Sequence, residues 1–246
     1  MRLYEPLEVL EPFGDELWIV NGPLARMPLG PGVTLPFPTR MTVVRLGNGT
    51  LLLHSPTQFS EALAARVCAL GRPAHLVSPN LLHYENIPSW KRAFPDAIAW
   101  ASPGVRERAE SRGVDFPFDR DLEDAPPDEW RDDCDQLLFA GGRWVHEVVF
   151  FHRRSRTLIV TDLIQNFERE RLTRSGALLA RAGGALHPDG QTPLDFRATF
   201  FGRGPQVRKN VERMLAWRPE RIALAHGRPY ECDGTAELRR AMRWAL

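Results

Sequence analysis

The apolar residues of this chain fall in runs too short for buried helices and too regular for loops, and that spacing limits the folds open to it. In the first half the runs are Leu17–Val20, Met41–Leu46, Leu51–Leu53, Ala74–Val77 and Ala97–Trp100; in the second they are Leu137–Ala140, Val145–His152, Thr157–Thr161 and Arg221–Ala225. Apolar runs of this length bounded by Gly, Pro and polar clusters are strands. Gly47-Asn48-Gly49 between the second and third is a hairpin turn, because glycine supplies the positive φ such turns need. Arg153–Arg156 is the corresponding turn of a later meander over 137–161.

Helical spacing separates the strands. Phe59, Leu63, Ala64, Val67 and Leu70 share one face over Gln58–Leu70, and Gly71 ends that helix. Further helices are expected at Ile87–Phe94, from the Ser102 cap and Pro103 through Arg112, and at Leu172–Ala182, Pro205–Trp217 and Gly234–Leu246. Asn21–Thr39 is dense in Pro and Gly and is expected to be irregular. The acidic stretch Asp115–Asp135 reads as a surface excursion. Two successive sets of strands and helices predict one α/β domain over residues 1–246, an αββα sandwich of two packed mixed β-sheets flanked by helices.

Composition narrows the function. A chain with 43% hydrophobic and 26% charged residues is not dominantly disordered. Thirty-two Lys and Arg balance 31 Asp and Glu, a net charge of +1, so no excess positive charge drives binding to nucleic acid or a membrane surface. No apolar stretch reaches the ~18 residues of a membrane span. The three cysteines, Cys68, Cys134 and Cys232, lack disulfide or thiolate-zinc spacing. With no secretion signal at Met1–Pro6, the expected compartment is the cytoplasm and the expected partner a small molecule. The nucleophile elbow, the phosphate-binding loop and the dinucleotide fingerprint are all missing, which argues against the enzyme classes built on them.

Polar residues just past strand ends are where an α/β sandwich places its chemistry. Four stand out: His54 after Leu51–Leu53, His83 six residues beyond Val77, Asp162 after Thr157–Thr161, and His226 after Arg221–Ala225. Imidazole and carboxylate converging from separate segments suit Zn²⁺ or iron. Each also has a plainer reading, a hydrogen-bonded structural His or, for Asp162, the cap of a helical turn at Leu163–Phe167. His146 and Glu147 are neighbours on a strand, so only one can face a site between the sheets. His152, beside Arg153 and Arg154, reads as solvated.

The same segments resemble the metallo-β-lactamase superfamily. Thr161-Asp162-Leu163 is similar to that superfamily's bridging-Asp segment and Ala225-His226-Gly227-Arg228-Pro229 to its final-His segment, while Leu51–Pro56 sits at its early acidic turn with His54 and Ser55 replacing the usual Asp and Thr. Its H-x-H-x-D-H signature is reduced here to Ser78-Pro79-Asn80-Leu81-Leu82-His83-Tyr84. Residues 38–46, 54–56, 78–80 and 155–163 are similar to a divergent bacterial branch of it. The resemblance implies a hydrolase-like protein with a reduced site: one divalent ion, zinc or iron, held by His83, Asp162 and His226, with His54 or Glu147 as general base or as support for the ligands. A metal-free protein that binds a small ligand or partner is the alternative, and a non-haem iron redox protein is a further one.

Overall fold

A computed structural model describes residues 1–30, 33–140 and 146–246, with backbone alone over 26–30 and 33–35. One sheet has seven strands in sequence order, β1 Leu10–Gly14, β2 Leu17–Gly30, β3 Val33–Arg45, β4 Thr50–His54, β5 Arg72–Ser78, β6 Ile98–Ala101 and β7 Arg120–Asp121. Its first four strands pair antiparallel and β4 to β7 run parallel. The second sheet comprises β8 Cys134–Phe139, β9 Glu147–His152, β10 Thr157–Val160 and β11 Arg221–Leu224 in the order β11-β10-β9-β8. Its meander is antiparallel, and β11 joins β10 in parallel. Both sheets are therefore mixed, as expected.

Period-two alternation makes the layers. Leu52, Val77, Val148, Phe150, Ile159 and Ala223 pack with Trp100 and Trp130 between the sheets. Their neighbours Leu51, Leu53 and Leu76 turn outward to α1 Glu61–Cys68, α2 Ile87–Ala93 and α3 Val105–Ser111. On the other side Val149, Leu158, Val160, Ile222 and Leu224 meet α6 Gly204–Ala216 and α7 Gly234–Ala241. Successive strand residues point to opposite faces, so strands covered on both sides read as unbroken apolar runs. The remaining helices are α4 Arg174–Ala182, capped by the Thr173 hydroxyl, and α5 Leu194–Thr199.

Several expectations change. Asn21–Thr39 is not irregular: apart from Pro31 and Gly32, which lie outside the described residues, it is the long hairpin of β2 and β3. β1 covers β2 only at Leu17–Val20 and β4 covers β3 only at Thr42–Arg45. Beyond those points each strand has one free edge, where a proline loses no ladder bond. Pro36 and Pro38 are two apart and so turn their missing N–H to the same edge. A register shift between Gly22 and Leu24 absorbs Pro23, and a second lies between Pro28 and Gly30.

The first helix starts at Glu61 because the Ser60 hydroxyl accepts from Leu63 N. Ser102 and Pro103 precede α3 without capping it; Gly104, at φ 83°, holds the cap position. The acidic stretch contains β7 and the buried Leu122 and Trp130. Val145, the expected start of β9, lies outside the described residues. His152 is buried rather than solvated, its Nδ1 2.8 Å from Ser155 Oγ. No helix among the described residues is long and apolar enough to cross a membrane.

Candidate metal centre

The loops that follow β4, β5, β10 and β11 meet at one end of the sandwich, and three of the four strand-end candidates converge there. His83 Nε2 lies 3.1 Å from Asp162 Oδ2, and His226 Nε2 3.2 Å from Asp162 Oδ1. The two imidazole Nε2 atoms are 3.3 Å apart. Asp162 and His226 are buried and His83 nearly so. These three side chains are the one group of clustered His, Cys, Asp or Glu donors among the described residues.

Each donor is oriented by a second partner. His226 Nδ1 is 2.8 Å from the Pro38 carbonyl, which can only accept, so Nδ1 carries the proton. Nε2 is then free to present a lone pair. The His226 loop is itself fixed by the buried Arg40, whose Nη1 donates to the carbonyls of Leu224 at 2.7 Å and Gly227 at 2.6 Å. Gly227, at φ 90°, runs so close to Asn166 that an added Cβ would sit 2.2 Å from its carbonyl oxygen. Ser55 Oγ lies 2.6 Å from His83 Nδ1. Ser55 has φ 54°, a left-handed conformation uncommon for a non-glycine residue.

Asp162 is held on both oxygens. Asn80 Nδ2 donates to Oδ2 at 2.8 Å and Gln165 Nε2 to Oδ1 at 3.3 Å. Burial would raise the Asp162 carboxyl, but His83 and His226 hold it well below the usual carboxylate range. Burial likewise works against a charge on His83, but the adjoining Asp162 carboxylate outweighs it and lifts the imidazole above its ordinary value. No helix follows Asp162; residues 163–167 are bends and isolated bridges. The helix-cap reading of this carboxylate therefore fails.

His54 and Glu147 stand behind the cluster, and neither lines the cleft in front of it. His54 is buried edge-on against Phe150 with ring centroids 5.2 Å apart, and its Nε2 has no partner. Burial pushes its pKa down to about 3, so the ring is neutral. Glu147 accepts the backbone N–H of Thr161 at 2.6 Å, Asp162 at 2.8 Å and Leu163 at 3.0 Å. Burial and the neighbouring Asp162 charge push its carboxyl above the ordinary range, and the N–H donors oppose that shift. Both oxygens are thus engaged with backbone. His146 precedes β9 and is only partly buried.

Asn80, Gln165, Ser55 and Arg40 carry site functions that the sequence reading did not assign. Asn80 and Ser55 sit at strand ends, the signal that found the others. The Pro38 carbonyl and Arg40 gave no signal, because they reach the site across the sandwich from the free-edged hairpin.

The cleft encloses about 200 Å³ and is lined by Phe37, Ser55, Leu81, His83, Asp162 and His226 among others. Larger grooves exist, but none of the cluster residues lines them.

The fold has counterparts among known proteins. The family model of a domain of unknown function (DUF4336) matches residues 32–173, more than half the chain. No curated protein matches in sequence. Solved structures match over nearly the full length. VMB-1 has 8% identity and a TM-score of 0.62, covering 97% of this chain and 96% of its own. A metallo-β-lactamase from Hirschia baltica has 15% identity and a TM-score of 0.61, covering 96% and 97%. The DIM-1 metallo-β-lactamase has 12% identity and a TM-score of 0.61, covering 100% and 99%. The chain has the metallo-β-lactamase fold, with its two mixed sheets and outer helices.

Proposed function

We propose that this chain, which belongs to the DUF4336 family and has the metallo-β-lactamase fold, is a metal-dependent hydrolase of a small molecule that uses one divalent ion, zinc or iron, held by His83, Asp162 and His226. The observation that carries this reading is the spacing of the donor atoms. Ligands bonded to one ion at ~2.0–2.2 Å in a tetrahedron lie about 3.3–3.6 Å from one another. The two imidazole Nε2 atoms are 3.3 Å apart, and each faces its own oxygen of Asp162, His83 meeting Oδ2 at 3.1 Å and His226 meeting Oδ1 at 3.2 Å, close to that spacing. Three donors converge while the cleft leaves the fourth side open.

The chemistry of the donors fits as well. Two imidazoles and one carboxylate suit both zinc and iron. The Nδ1–H of His226 is spent on a carbonyl and His83 Nδ1 is held by Ser55, an outer arrangement that fixes the orientation of metal-binding histidines. When bound, the ion would supply a water of lowered pKa and polarise a carbonyl or phosphoryl oxygen. Asn80 and Gln165 hold the Asp162 carboxylate toward the cluster, and Phe37 packs edge-on to His226 with ring centroids 5.5 Å apart, shielding that ring from water. Asn80, Leu81 and Leu82 stand where a second ion would need imidazoles, which supports one ion rather than two.

Elemental analysis after mild dialysis tests the reading. The expected result is about one zinc or iron per chain in the wild type, with at least tenfold less in Asp162→Asn and His226→Ala while both stay folded. Two ions per chain would show that donors outside the cluster take part. No metal in a folded wild type would transfer the site to the metal-free ligand-binding alternative.

A further inference from the structure

The helix that borders the cleft carries two arginines with no counter-charge. Arg108 and Arg112 both line the cleft, Arg108 from α3 and Arg112 from its C-terminal cap. They are four residues apart, which puts them on one helix face, where like charges repel. Among the described residues neither forms an ion pair. Arg106 on the same helix shows the contrast. It faces away, its Nε 2.7 Å from Asp121 Oδ1 and its Nη1 2.7 Å from the Phe118 carbonyl.

Arg108 has a further peculiarity: its Nε is shielded from solvent and has no hydrogen-bond partner. A buried N–H without an acceptor is costly and rare in native structures. Two arginines of one helix thus line the same cleft as the His83–Asp162–His226 cluster, one of them with a shielded N–H that no protein acceptor meets. Of the two acidic residues in the same lining, Glu85 is exposed and forms no ion pair with either arginine, and Asp162 faces His83 and His226.

We propose that Arg108 and Arg112 bind the anionic group of a small substrate, a carboxylate or a phosphoryl group, and so present the rest of the molecule to the His83–Asp162–His226 cluster. The substrate class rests on the hydrolase reading above, but the anion site itself does not. Planar guanidinium forks match carboxylate and phosphate oxygens in pairs. A cleft of about 200 Å³ equals the share of roughly seven waters at ~30 Å³ each, room for a compact anion. Leu81 and Phe37 in the same lining would cover the apolar part of such a molecule.

Calorimetric titration with inorganic phosphate, and separately with acetate, at constant ionic strength tests this on the full chain. The variants are Arg108→Gln, Arg112→Gln and the double change, with metal content measured on each sample. The expected result is saturable binding of at least one anion by the wild type, weakened tenfold or more in Arg108→Gln and further in the double variant, with metal content unchanged. The tighter of the two anions then identifies the group recognised. If wild type and double variant bind both anions equally, or not at all, the proposal is overturned. A wild type that holds no metal yet loses its anion on Arg108→Gln would sink the hydrolase reading and leave the anion site standing.

Discussion

Replacing Glu147 by Gln probes how the second sheet builds the centre. Both carboxylate oxygens are used: Thr161 N–H bonds Oε1 at 2.6 Å, and Asp162 and Leu163 N–H bond Oε2 at 2.8 and 3.0 Å. A glutamine in the same rotamer has one oxygen. Turned toward Asp162 and Leu163 it keeps two bonds, now without charge assistance, and points its amide at the Thr161 N–H, donor against donor. Hydrogen bonds to a charged group are worth about 1.5–3 kcal/mol, neutral ones about 0.5–1.5, and an unsatisfied buried donor costs about 1–3. Relief of the repulsion between Glu147 and Asp162 returns part of that, so the net loss is about 3 kcal/mol. With a urea m-value of ~3 kcal/mol per molar for a chain of this size, the midpoint of unfolding, followed by tryptophan fluorescence, should fall by about 1 M. Amide exchange should accelerate most at Thr161, Asp162 and Leu163. A midpoint within 0.3 M of wild type on the order-of-magnitude scale above, or undiminished protection of those three amides, would refute the idea that this carboxylate holds the loop.

Two other outcomes follow from buried groups. His54, with its pKa pushed down to about 3 by burial, and His75, pushed down to about 4 by burial, are neutral, and burial lowers His152 as well. Unfolded histidines protonate near 6.5, so the folded chain binds fewer protons and stability must fall as pH drops from about 6.5 toward 4. His54 and His75 account for roughly two protons, or about 2.7 kcal/mol per pH unit once the unfolded imidazoles are charged, while Glu147, shifted up by burial, works in the opposite direction; equal urea midpoints at pH 7 and pH 5 would contradict this. Gly227→Ala should cost at least about 3 kcal/mol or abolish folding, because its Cβ would meet the Asn166 backbone at 2.2–2.8 Å with φ at 90°; a thermal midpoint like that of wild type would show that the close approach is relaxed in solution.

The layered fold was legible because burial on both faces leaves a mark on composition. Leu51-Leu52-Leu53 and Thr157–Val160 read as strands by their unbroken apolarity, and Gly47-Asn48-Gly49 fixed one pairing outright. The hairpin over Leu17–Gly30 and Val33–Arg45 was illegible for the opposite reason. Its outer parts have free edges, so neither hydrophobic alternation nor exclusion of proline constrains them. The three cluster residues were legible among four strand-end candidates, but not their geometry. Position alone could not tell His54, which turns into the core, from Ser55, which reaches His83. Nor could it show Arg108 and Arg112 facing the cleft, since i, i+4 arginines usually mark a solvated face.

Asp162 makes the limit concrete, because its two readings competed for the same oxygens. An aspartate after a strand commonly accepts the first backbone N–H groups of the loop beyond it, and a carboxylate so occupied is a poor metal ligand. Here Glu147 reaches across from β9 and accepts the N–H groups of Thr161, Asp162 and Leu163 instead. That takes over the capping task and leaves Asp162 free to face His83 and His226. Only side-chain amides, from Asn80 and Gln165, share its oxygens, and they aim the carboxylate without neutralising it. The charge of Asp162 is thereby available to the cleft because a second buried carboxylate, 15 residues earlier in the chain, satisfies the backbone in its place.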